Sequence, residues 1–353
     1  MNKRIVSLLS VTIATVLVVA ACGSSGNGGP DDSLTFSSAK TMALVPDGST
    51  VVISISMTDA LADPTIQQLF TDLTQPDLPG ILESGKISLT DTVSLFQTAS
   101  GIDLDLVEEI VVFFKPDGTE SDSRSGFGLS GDGGAAIFRG DIDSAAVIAA
   151  ASKGYPIVTS YQGREIRVDE ADEDALAILD DHYVVTGSGA SVRQVIDVVG
   201  GDASSLSGSV AKAYDSLPNS GLLNGVLSFQ KAPIDDALGE TGDALGSFGG
   251  FRPDLTVFSS IKIVGFTLGT EEEVLLSTIA LTHPTAELAG ETLTALNSFV
   301  NIIRGFLATP ELLTFLDSVD VEAMDNQVVI TIRVDPLTLP ELQESFEGLS
   351  DGF

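Results

Sequence analysis

Several residue types are scarce in this chain, and each scarcity excludes a class of protein. The 353 residues include one cysteine, two histidines and no tryptophan. A single cysteine cannot close an intramolecular disulfide, so side-chain packing must stabilise the fold. His182 and His283 show no HExxH spacing and no cysteine partner, which argues against a zinc site and favours structural roles for both. Aromatic residues are only 6% of the chain, which disfavours aromatic cages and base-stacking surfaces.

Basic residues are also scarce, and this limits the partners that the surface can attract. The chain has 17 lysines and arginines against 50 aspartates and glutamates, which gives a formal net charge of -33. A surface of this sign repels nucleic-acid phosphates and anionic lipid headgroups, so we expect no nucleic-acid partner. The plain interpretation of the acid excess is a solvated acidic surface. The alternative is a docking face for cations or a basic partner.

Motifs for nucleophilic catalysis and phosphate binding are missing. The segments TGSGAS around Ser188 and LSGSVAK around Ser207 lack the G-x-S-x-G turn that exposes a serine nucleophile. The glycine-rich stretch with Gly131, Gly133 and Gly134 has no Lys-Ser/Thr after it, so it predicts a tight hairpin turn and not a phosphate-binding loop. The sequence therefore carries no catalytic signature, and we predict no cofactor.

Two acidic segments fail the EF-hand template for calcium. In DGTESDSRSGFG from Asp117, Asp122 stands where the template needs glycine, and Gly128 stands where it needs glutamate. The segment DEADEDA from Asp169 has Ala171 at a ligand position. We therefore predict no metal site and interpret both segments as solvated loops. A loop site of another geometry is the open alternative, because hard cations require only convergent oxygens.

The first residues have the pattern of an export signal. Lys3 and Arg4 precede an apolar run over residues 5–20, which only serine and threonine interrupt. The run is short for a permanent membrane span, which needs about 20 apolar residues. It ends in Val19-Ala20-Ala21-Cys22, which resembles the lipobox of bacterial lipoproteins.

The lipobox resemblance implies a defined processing of the chain. Residues 1–21 would be a lipoprotein signal peptide, cut between Ala21 and Cys22, and the Cys22 sulfur would receive a diacylglyceryl group. The new amino group would also be acylated, for instance with palmitate. Two acyl chains anchor a protein stably on a membrane, whereas one anchors it only marginally. The alternative is a plain secretory leader cut near Ala21, which leaves Cys22 as a free thiol.

The segment that starts at Cys22 predicts how the body is held. Residues 22–38 are rich in glycine and serine, which predicts a flexible tether with a reach of roughly 20 Å. An acidic body on such a tether is held away from an anionic headgroup layer. The expected location is the extracytoplasmic face of a cell membrane, with the membrane itself as a partner through the lipid anchor.

From Thr50 onward the pattern predicts strands and helices in mixed order. Alternating β-branched residues predict a strand over residues 50–57, and Gln162-Gly163 and Asp180-Asp181 predict the turns of two hairpins. Residues 286–307 predict the longest helix. The expected fold class is α+β, with mostly antiparallel sheets and packed helices.

The later half of the body repeats the pattern of the first half. Both halves begin with Ala-Lys, followed by a leucine and a proline at similar distances, a strand and an acidic helix start. The matched segments begin at Ala39 and Ala211, and two matched hairpins begin at Val158 and Val321. We therefore predict an internal duplication of one α+β unit, with repeats at residues 39–205 and 206–353.

The body also resembles a broad group of uncharacterised bacterial envelope proteins built from repeated α+β units. The resemblance depends on a VPxGS turn before a strand, at residues 45–49, and on a hairpin with LDDHYVVTGS before a helix, within residues 178–188. It implies a fold of repeated α+β units. The group has no established activity, so the resemblance implies no function.

Three functions are compatible with these observations. The first is a non-enzymatic lipoprotein whose body binds a partner or ligand or has a structural role in the envelope. The second is a carrier of lipid or another apolar ligand, with a groove beside the helix at residues 286–307. The apolar stripe of that helix consists of Leu293, Leu296, Val300, Ile303 and Leu307, with Phe299 and Phe306 beside them. A core contact is the plain interpretation of the stripe, and the groove is the alternative. The third function is an extracytoplasmic hydrolase.

Overall fold

The computed structural model describes eight stretches of the chain. They are residues 41–66, 96–115, 133–171, 173–218, 221–229, 255–271, 274–306 and 310–338. These residues divide into two compact units, and the division falls between Ser207 and Gly208. Each unit combines antiparallel strands with helices, so the predicted α+β class is confirmed.

The first unit contains seven described strands and three helices with described bounds. The strands are β1 (Val51–Ser56), β2 (Val107–Phe114), β3 (Gly134–Gly140), β4 (Ile157–Tyr161), β5 (Arg164–Val168), β6 (Asp174–Asp180) and β7 (Tyr183–Ser188). The helices are α1 (Met57–Ala62), α2 (Ser144–Ala151) and α3 (Gly189–Gly200). The strands pair in the order β1-β2-β3-β7-β6-β5-β4, and each pair is antiparallel.

The core of the first unit lies on β1, β2, β3 and β7, where aliphatic side chains are fully buried. Val52, Val111, Ile137 and Val185 have no exposed surface. β-Branched side chains are restricted in a helix but pack well on a pleated surface, which explains why these segments form strands. Burying each such side chain stabilises the fold by about 1.5–3 kcal/mol.

Local sequence signals in the first unit agree with its turns and caps. Gln162 and Gly163 have φ angles of 48° and 77°, the left-handed pair that closes a two-residue hairpin between β4 and β5. Asp143 accepts hydrogen bonds from the backbone N–H groups two and three residues later, at the start of α2. Helix α3 ends at Gly200 and is capped by Gly201, which has the left-handed φ of 81°.

The turn of the second predicted hairpin lies one residue later than the sequence indicated. Strand β6 includes Asp180, so the turn residues are Asp181 and His182. Oδ1 of Asp180 accepts a hydrogen bond of 2.8 Å from the backbone N–H of His182. This contact of an aspartate with the backbone two residues on stabilises the turn at the later position.

The second unit contains five described strands and three helices with described bounds. The strands are β8 (Leu223–Ser228), β9 (Ile263–Glu271), β10 (Val274–Thr282), β11 (Val319–Met324) and β12 (Gln327–Val334). The helices are α4 (Gly208–Asp215), α5 (Ala286–Phe306) and α6 (Pro310–Asp317). The strands pair in the order β8-β9-β10-β12-β11, and each pair is antiparallel.

The core of the second unit includes a cluster between α5 and the sheet. Its buried members are Ile261, Leu281, Ala289 and Val328. Partly buried apolar side chains pack against it from the sheet, from α5 and from the 3-10 helix Leu255–Ser260; they are Phe258, Val264, Ile279, Leu293, Leu296, Val321 and Ile330. The cluster fixes the position of α5, which contacts β11, β12 and the 3-10 helix.

Two helix predictions are met within the described residues. Helix α5 has 21 residues and begins at Ala286 as predicted, whereas Leu307 lies outside the described residues. The sequence Asp63-Pro64 also predicts the start of a helix, with Asp63 as its N-cap. Asp63 does accept hydrogen bonds from the backbone N–H groups of Thr65 and Ile66, and the residues after Ile66 in that helix lie outside the described part of the chain.

Within the described ranges no helix combines the length and the apolar character that crossing a bilayer requires. Residues 126–130, whose sequence predicts a short strand, lie outside those ranges.

Candidate functional site

The residues of the predicted lipid anchor lie outside the described part of the chain. This holds for the signal peptide at 1–21 with Ala21, for Cys22, and for the tether at 22–38. The acidic segment from Asp117 and the turn residue Gly131 lie outside it as well. The candidate chemistry of the body therefore depends on the histidines, serines, carboxylates and apolar side chains of the described residues.

The acidic segment that begins at Asp169 forms a turn stabilised by its own first residue. Asp169 is 2% exposed, and its Oδ1 accepts hydrogen bonds from the backbone N–H groups of Glu173 and Asp174, at 2.9 and 3.3 Å. The carboxylate is thus used to hold the backbone between β5 and β6. Among the described residues no group of three or more histidine, cysteine, aspartate or glutamate side chains could hold a metal ion.

The two serines considered as nucleophiles have structural contacts. Ser188 caps α3, because its Oγ accepts the backbone N–H of Ser191 at 3.2 Å. Oγ of Ser207 donates to Oδ1 of Asp47 at 2.8 Å, and the backbone N–H of Ser207 donates to the same oxygen at 3.1 Å. Ser188 therefore stabilises the start of α3, and Ser207 joins two segments that are 160 positions apart in the chain. The structure brings neither of them to a described histidine.

The two histidines have different environments. His182 lies in the exposed turn between β6 and β7, and its Nδ1 lies 3.4 Å from the carbonyl oxygen of Gly140. His283 directly follows β10 and is only 1% exposed. Of the two, His283 is the one whose side chain sits in the protein interior.

His283 contacts a serine that sequence reading did not single out. Its Nδ1 lies 2.8 Å from Oγ of Ser260, the last residue of a 3-10 helix. The backbone of His283 is fixed as well, because its N–H donates to the carbonyl of Asn326 at 2.9 Å and its carbonyl accepts from Nδ2 of Asn326 at 2.6 Å. The imidazole of His283 therefore links the end of β10 to the 3-10 helix. The backbone of His283 links the end of β10 to the β11–β12 turn.

The contacts of Ser260 indicate how the pair is protonated. Its Oγ also lies 2.8 Å from the carbonyl oxygen of Val257, and a hydroxyl has one hydrogen to donate. When Val257 takes that hydrogen, Nδ1–H of His283 donates to the serine oxygen. Nε2 is then an unprotonated acceptor, buried without a hydrogen-bond partner among the described residues. Burial also lowers the pKa of His283 below its ordinary value of 6.5, which favours the neutral ring.

This geometry does not prepare Ser260 for nucleophilic attack. A catalytic histidine accepts the serine proton, and a third side chain usually orients it through its other nitrogen. Here a carbonyl competes for the serine proton, and the other nitrogen of His283 has no partner in the described residues. The pair is therefore best suited to hold two segments of the second unit together.

A charged pair lies within the sheet of the first unit. Glu109 on β2 is 3% exposed and faces Arg139 on β3, with Nε of the arginine 3.3 Å from Oε2 of the glutamate. Oγ of Ser54 donates to the other carboxylate oxygen of Glu109 at 2.7 Å. Nη1 of Arg139 also contacts the exposed Glu108 at 2.5 Å. Both carboxylate oxygens of Glu109 therefore have partners, as do Nε and Nη1 of Arg139, so the buried glutamate lies in a hydrogen-bonded network.

The apolar stripe of α5 is only partly used by the core. Ala289 and Thr292 are fully buried, which shows that small residues make the closest approach of the helix to its surroundings. The larger apolar side chains are half-buried; they are Leu293, Leu296, Phe299 and Val300. Leu293 and Leu296 pack against the cluster around Val328. The side chains of Ile303 and Leu307 lie outside the described residues.

Comparison with known proteins gives structural neighbours alone. No protein-family model matches the chain, and no curated protein matches it. Three crystal forms of TP0453 resemble it in structure. Form IV is 10% identical with a TM-score of 0.44, covering 84% of this chain and 94% of that one. Form III is 9% identical with a TM-score of 0.45, covering 84% of this chain and 95% of that one. Form I is 9% identical with a TM-score of 0.42, covering 84% of this chain and 94% of that one. A likeness at this level does not extend to function.

The contacts that sequence reading missed join residues far apart in the chain. Ser260 and His283 are separated by 23 positions, and Glu109 and Arg139 by 30. Neither separation matches a helix or hairpin spacing that a sequence pattern reveals. The one available signal was the arginine within GAAIFRG, because a charged residue in a strand that is otherwise apolar and small has to find a partner or solvent.

Proposed function

We propose that this protein is an extracytoplasmic lipoprotein, held on a cell membrane by acyl chains on Cys22, whose α+β body has a binding or structural role in the envelope. One observation carries the proposal. The only cysteine of the chain follows Val19-Ala20-Ala21 at the end of an apolar run that begins after Lys3 and Arg4. A unique cysteine in that position matches the requirement of a lipobox, and two or more acyl chains are sufficient for stable anchoring.

The contacts of the body support a non-enzymatic role over a hydrolytic one. Ser188 caps α3, Ser207 is hydrogen-bonded to Asp47, and the hydroxyl of Ser260 is hydrogen-bonded to a carbonyl oxygen. The buried carboxylate of Glu109 is paired with Arg139. These four described side chains are thus engaged in stabilising contacts.

The test of the anchor is the mass of the mature protein. The full chain is purified from membranes in detergent, and its N-terminal peptide is analysed by mass spectrometry. We expect a chain that begins at Cys22 and carries a diacylglyceryl group, with an additional acyl chain on its amino group. A Cys22→Ser variant is the matched control and should keep residues 1–21 without lipid. A mature chain with a free Cys22 thiol would overturn the proposal.

A second candidate function is the carriage of an apolar ligand beside α5. The observation that favours it is the half-burial of Leu293, Leu296, Phe299 and Val300, since a helix with a complete core contact would bury such side chains further. Binding of a fluorescent fatty acid to the purified protein tests it. We expect Phe299→Gln to weaken binding severalfold, and Asn297→Gln, on the exposed side of the same turn, to leave it unchanged. Equal binding by both variants would reject the groove.

We also infer that the body arose by duplication of one α+β unit, with repeats at residues 39–205 and 206–353. The strand orders support this inference. In the first unit β1-β2-β3 are followed by a helix and then by β6 and β7, which pair in the order β1-β2-β3-β7-β6. In the second unit β8-β9-β10 are followed by the helices α5 and α6 and then by β11 and β12, and the strands pair in the order β8-β9-β10-β12-β11. The hairpin at Val321 therefore corresponds better to β6–β7 than to the hairpin at Val158, which is extra in the first unit.

A further inference from the structure

Strand β4 has one side without a described partner. It pairs with β5 over all its residues, without a register shift, and no other described strand pairs with it. An open strand edge can pair with another chain, and most proteins protect such edges with charged residues, prolines or bulges. The β4 sequence Ile-Val-Thr-Ser-Tyr contains none of these, and Pro156 stands only before its first residue.

The hairpin geometry determines which backbone groups the open edge presents. Tyr161 and Arg164 flank a two-residue turn, so they form a hydrogen-bonded pair across β4 and β5. Hydrogen-bonded and non-hydrogen-bonded pairs alternate along an antiparallel ladder. The N–H and C=O groups of Val158 and Ser160 therefore point away from β5, toward the open side. Thr159 lies between them.

Strand β4 exposes apolar and strand-favouring side chains to solvent. Ile157 is 45% exposed and Val158 is 52% exposed, and Thr159 and Ser160 are exposed too. Isoleucine, valine, threonine and tyrosine are the residues that favour strands most strongly. The segment thus combines high strand propensity with an open backbone edge and no charge.

The core face of the sheet continues to β4, where it remains incompletely covered. Ile157 lies opposite Val168, and Thr159 opposite Ile166; Val168 and Ile166 are 3% and 0% exposed. On the same face, the hydroxyl of Tyr161 donates to Oδ1 of an aspartate on α3. Ile157 therefore belongs to an apolar layer that no described strand continues beyond β4. An additional strand beside β4 would continue that layer.

We propose that β4 pairs antiparallel with β4 of a second copy of this chain. A two-fold axis through Thr159 sets Val158 opposite Ser160 of the second copy, so that the outward backbone groups of both residues form hydrogen bonds. It also sets Ile157 opposite Tyr161, a β-branched and aromatic pair of the kind that stabilises sheets. The strand is thus complementary to itself in backbone, shape and register.

Two copies of this strongly acidic chain repel each other less at the β4 edge than where carboxylates cover the surface. With a formal net charge of -33, two copies repel each other wherever carboxylates meet. Strand β4 has no charged residue, and the charged residues of its neighbour β5 are Arg164, Glu165 and Arg167. Pairing of the two β4 strands therefore brings no carboxylate of one strand next to a carboxylate of the other. Because salt screens the remaining repulsion, the association should strengthen as ionic strength rises.

Cross-linking on membranes from cells that express the full chain tests the register. In the proposed pair Thr159 faces Thr159 of the second copy in a non-hydrogen-bonded position, where Cα atoms lie about 4.5 Å apart and a disulfide can form. We expect Thr159→Cys to give a disulfide dimer under mild oxidation. Ser160→Cys is the matched control, because its direct partner is Val158 and it should cross-link several times less. The unsubstituted chain, which contains Cys22 alone, sets the background.

A charge on the edge tests whether strand pairing causes the cross-link. We expect Val158→Lys, combined with Thr159→Cys, to reduce the dimer about tenfold, since a lysine on an edge strand opposes its pairing with another strand. Thr294→Lys on the exposed face of α5, in the same background, should reduce it little, and far-UV circular dichroism confirms that both variants fold. Equal cross-linking at positions 159 and 160, or disulfide products with a different protein, would overturn the proposal. So would a dimer that persists unchanged with lysine at position 158.

Discussion

Arg139 and Glu109 form a nearly buried ion pair across β3 and β2. Nε of Arg139 lies 3.3 Å from Oε2 of Glu109, and the two side chains are 12% and 5% exposed. The other carboxylate oxygen of Glu109 accepts a hydrogen bond from Ser54. A buried pair contributes little net stability, but removing one member leaves an uncompensated charge in the interior. The pair is therefore a position where a single substitution should have a large effect.

The first prediction is that Arg139→Met lowers the free energy of unfolding by about 3–5 kcal/mol. Denaturant unfolding followed by circular dichroism measures it. Glu108→Gln is the control, because this side chain contacts the same arginine but is 57% exposed, and it should change stability by less than about 1 kcal/mol. The double variant Glu109→Leu/Arg139→Met should recover much of the loss. If Arg139→Met is no worse than Glu108→Gln, the pair is not buried as described.

The second prediction concerns the stability of the second unit as a function of pH. Burial lowers the pKa of His283 in the folded state, whereas the unfolded value is about 6.5. Below pH 6.5 the unfolded chain binds a proton that the folded chain resists. The contribution of His283 to stability is therefore complete above about pH 6.5, and it declines as the pH falls toward the lowered folded-state pKa.

The change in melting temperature between pH 7.5 and pH 5.5, compared among three proteins, checks this prediction. His283→Asn keeps a donor near the position of Nδ1 for Ser260 but removes the titrating ring, so it should lose less stability on acidification than the unsubstituted protein. Thr294→Ala on the exposed face of α5 removes no titrating group and is the control for substitution alone, so it should keep the pH response of the unsubstituted protein. Because carboxylates titrate in all three proteins, their contribution cancels in the comparison. The same pH response in all three would exclude His283 as its source.

Local chemistry made some of the fold predictable, and long-range packing left the rest unpredictable. The turn at Gln162-Gly163 and the cap at Asp143 depend on the conformational and hydrogen-bonding preferences of those residues, and both agree with the sequence patterns. The burial of Glu109 depends instead on a partner 30 positions away. In α5 the periodicity predicted the helix, but the closest contacts are made by Ala289 and not by the leucines, because packing distance favours small side chains there.

The third prediction uses two glycines of the second unit that differ in their surroundings. Gly225 on β8 lies opposite Phe266 on β9, and a Cβ at Gly225 would lie 2.2 Å from Cζ of that ring. Phe266 is 8% exposed and has little room to move, so Gly225→Ala should destabilise the protein by about 1–3 kcal/mol. A Cβ at Gly290 in α5 would meet nothing within 4 Å, so Gly290→Ala should stabilise it by about 0.5–1 kcal/mol. Thermal unfolding of the two variants should shift in opposite directions, and shifts of the same sign would contradict the packing.

The fourth prediction concerns Tyr161, which joins the end of β4 to α3. Its hydroxyl donates to Oδ1 of Asp197 at 2.9 Å, and Nε2 of Gln162 donates to the same oxygen at 2.7 Å. The hydrogen bond to the carboxylate is the largest cause that raises the pKa of Tyr161 above 10.0, since a tyrosinate would lose that bond and face a like charge. Asp197→Asn should therefore lower the pKa of Tyr161 toward its ordinary value.

Tyrosinate absorbance as a function of pH measures this change. Burial also raises the pKa of Tyr183, so Tyr161→Phe is needed to assign the signal of Tyr161 by subtraction. Asp202 acts on Tyr161 only through a weaker charge effect, and Asp202→Asn should lower its pKa by less than Asp197→Asn does. Equal shifts in the two aspartate variants would show that general surface charge, and not the hydrogen bond, controls the titration. A larger shift with Asp197→Asn would establish that the hydrogen bond between Tyr161 and Asp197 forms in solution and joins the β4–β5 hairpin to α3.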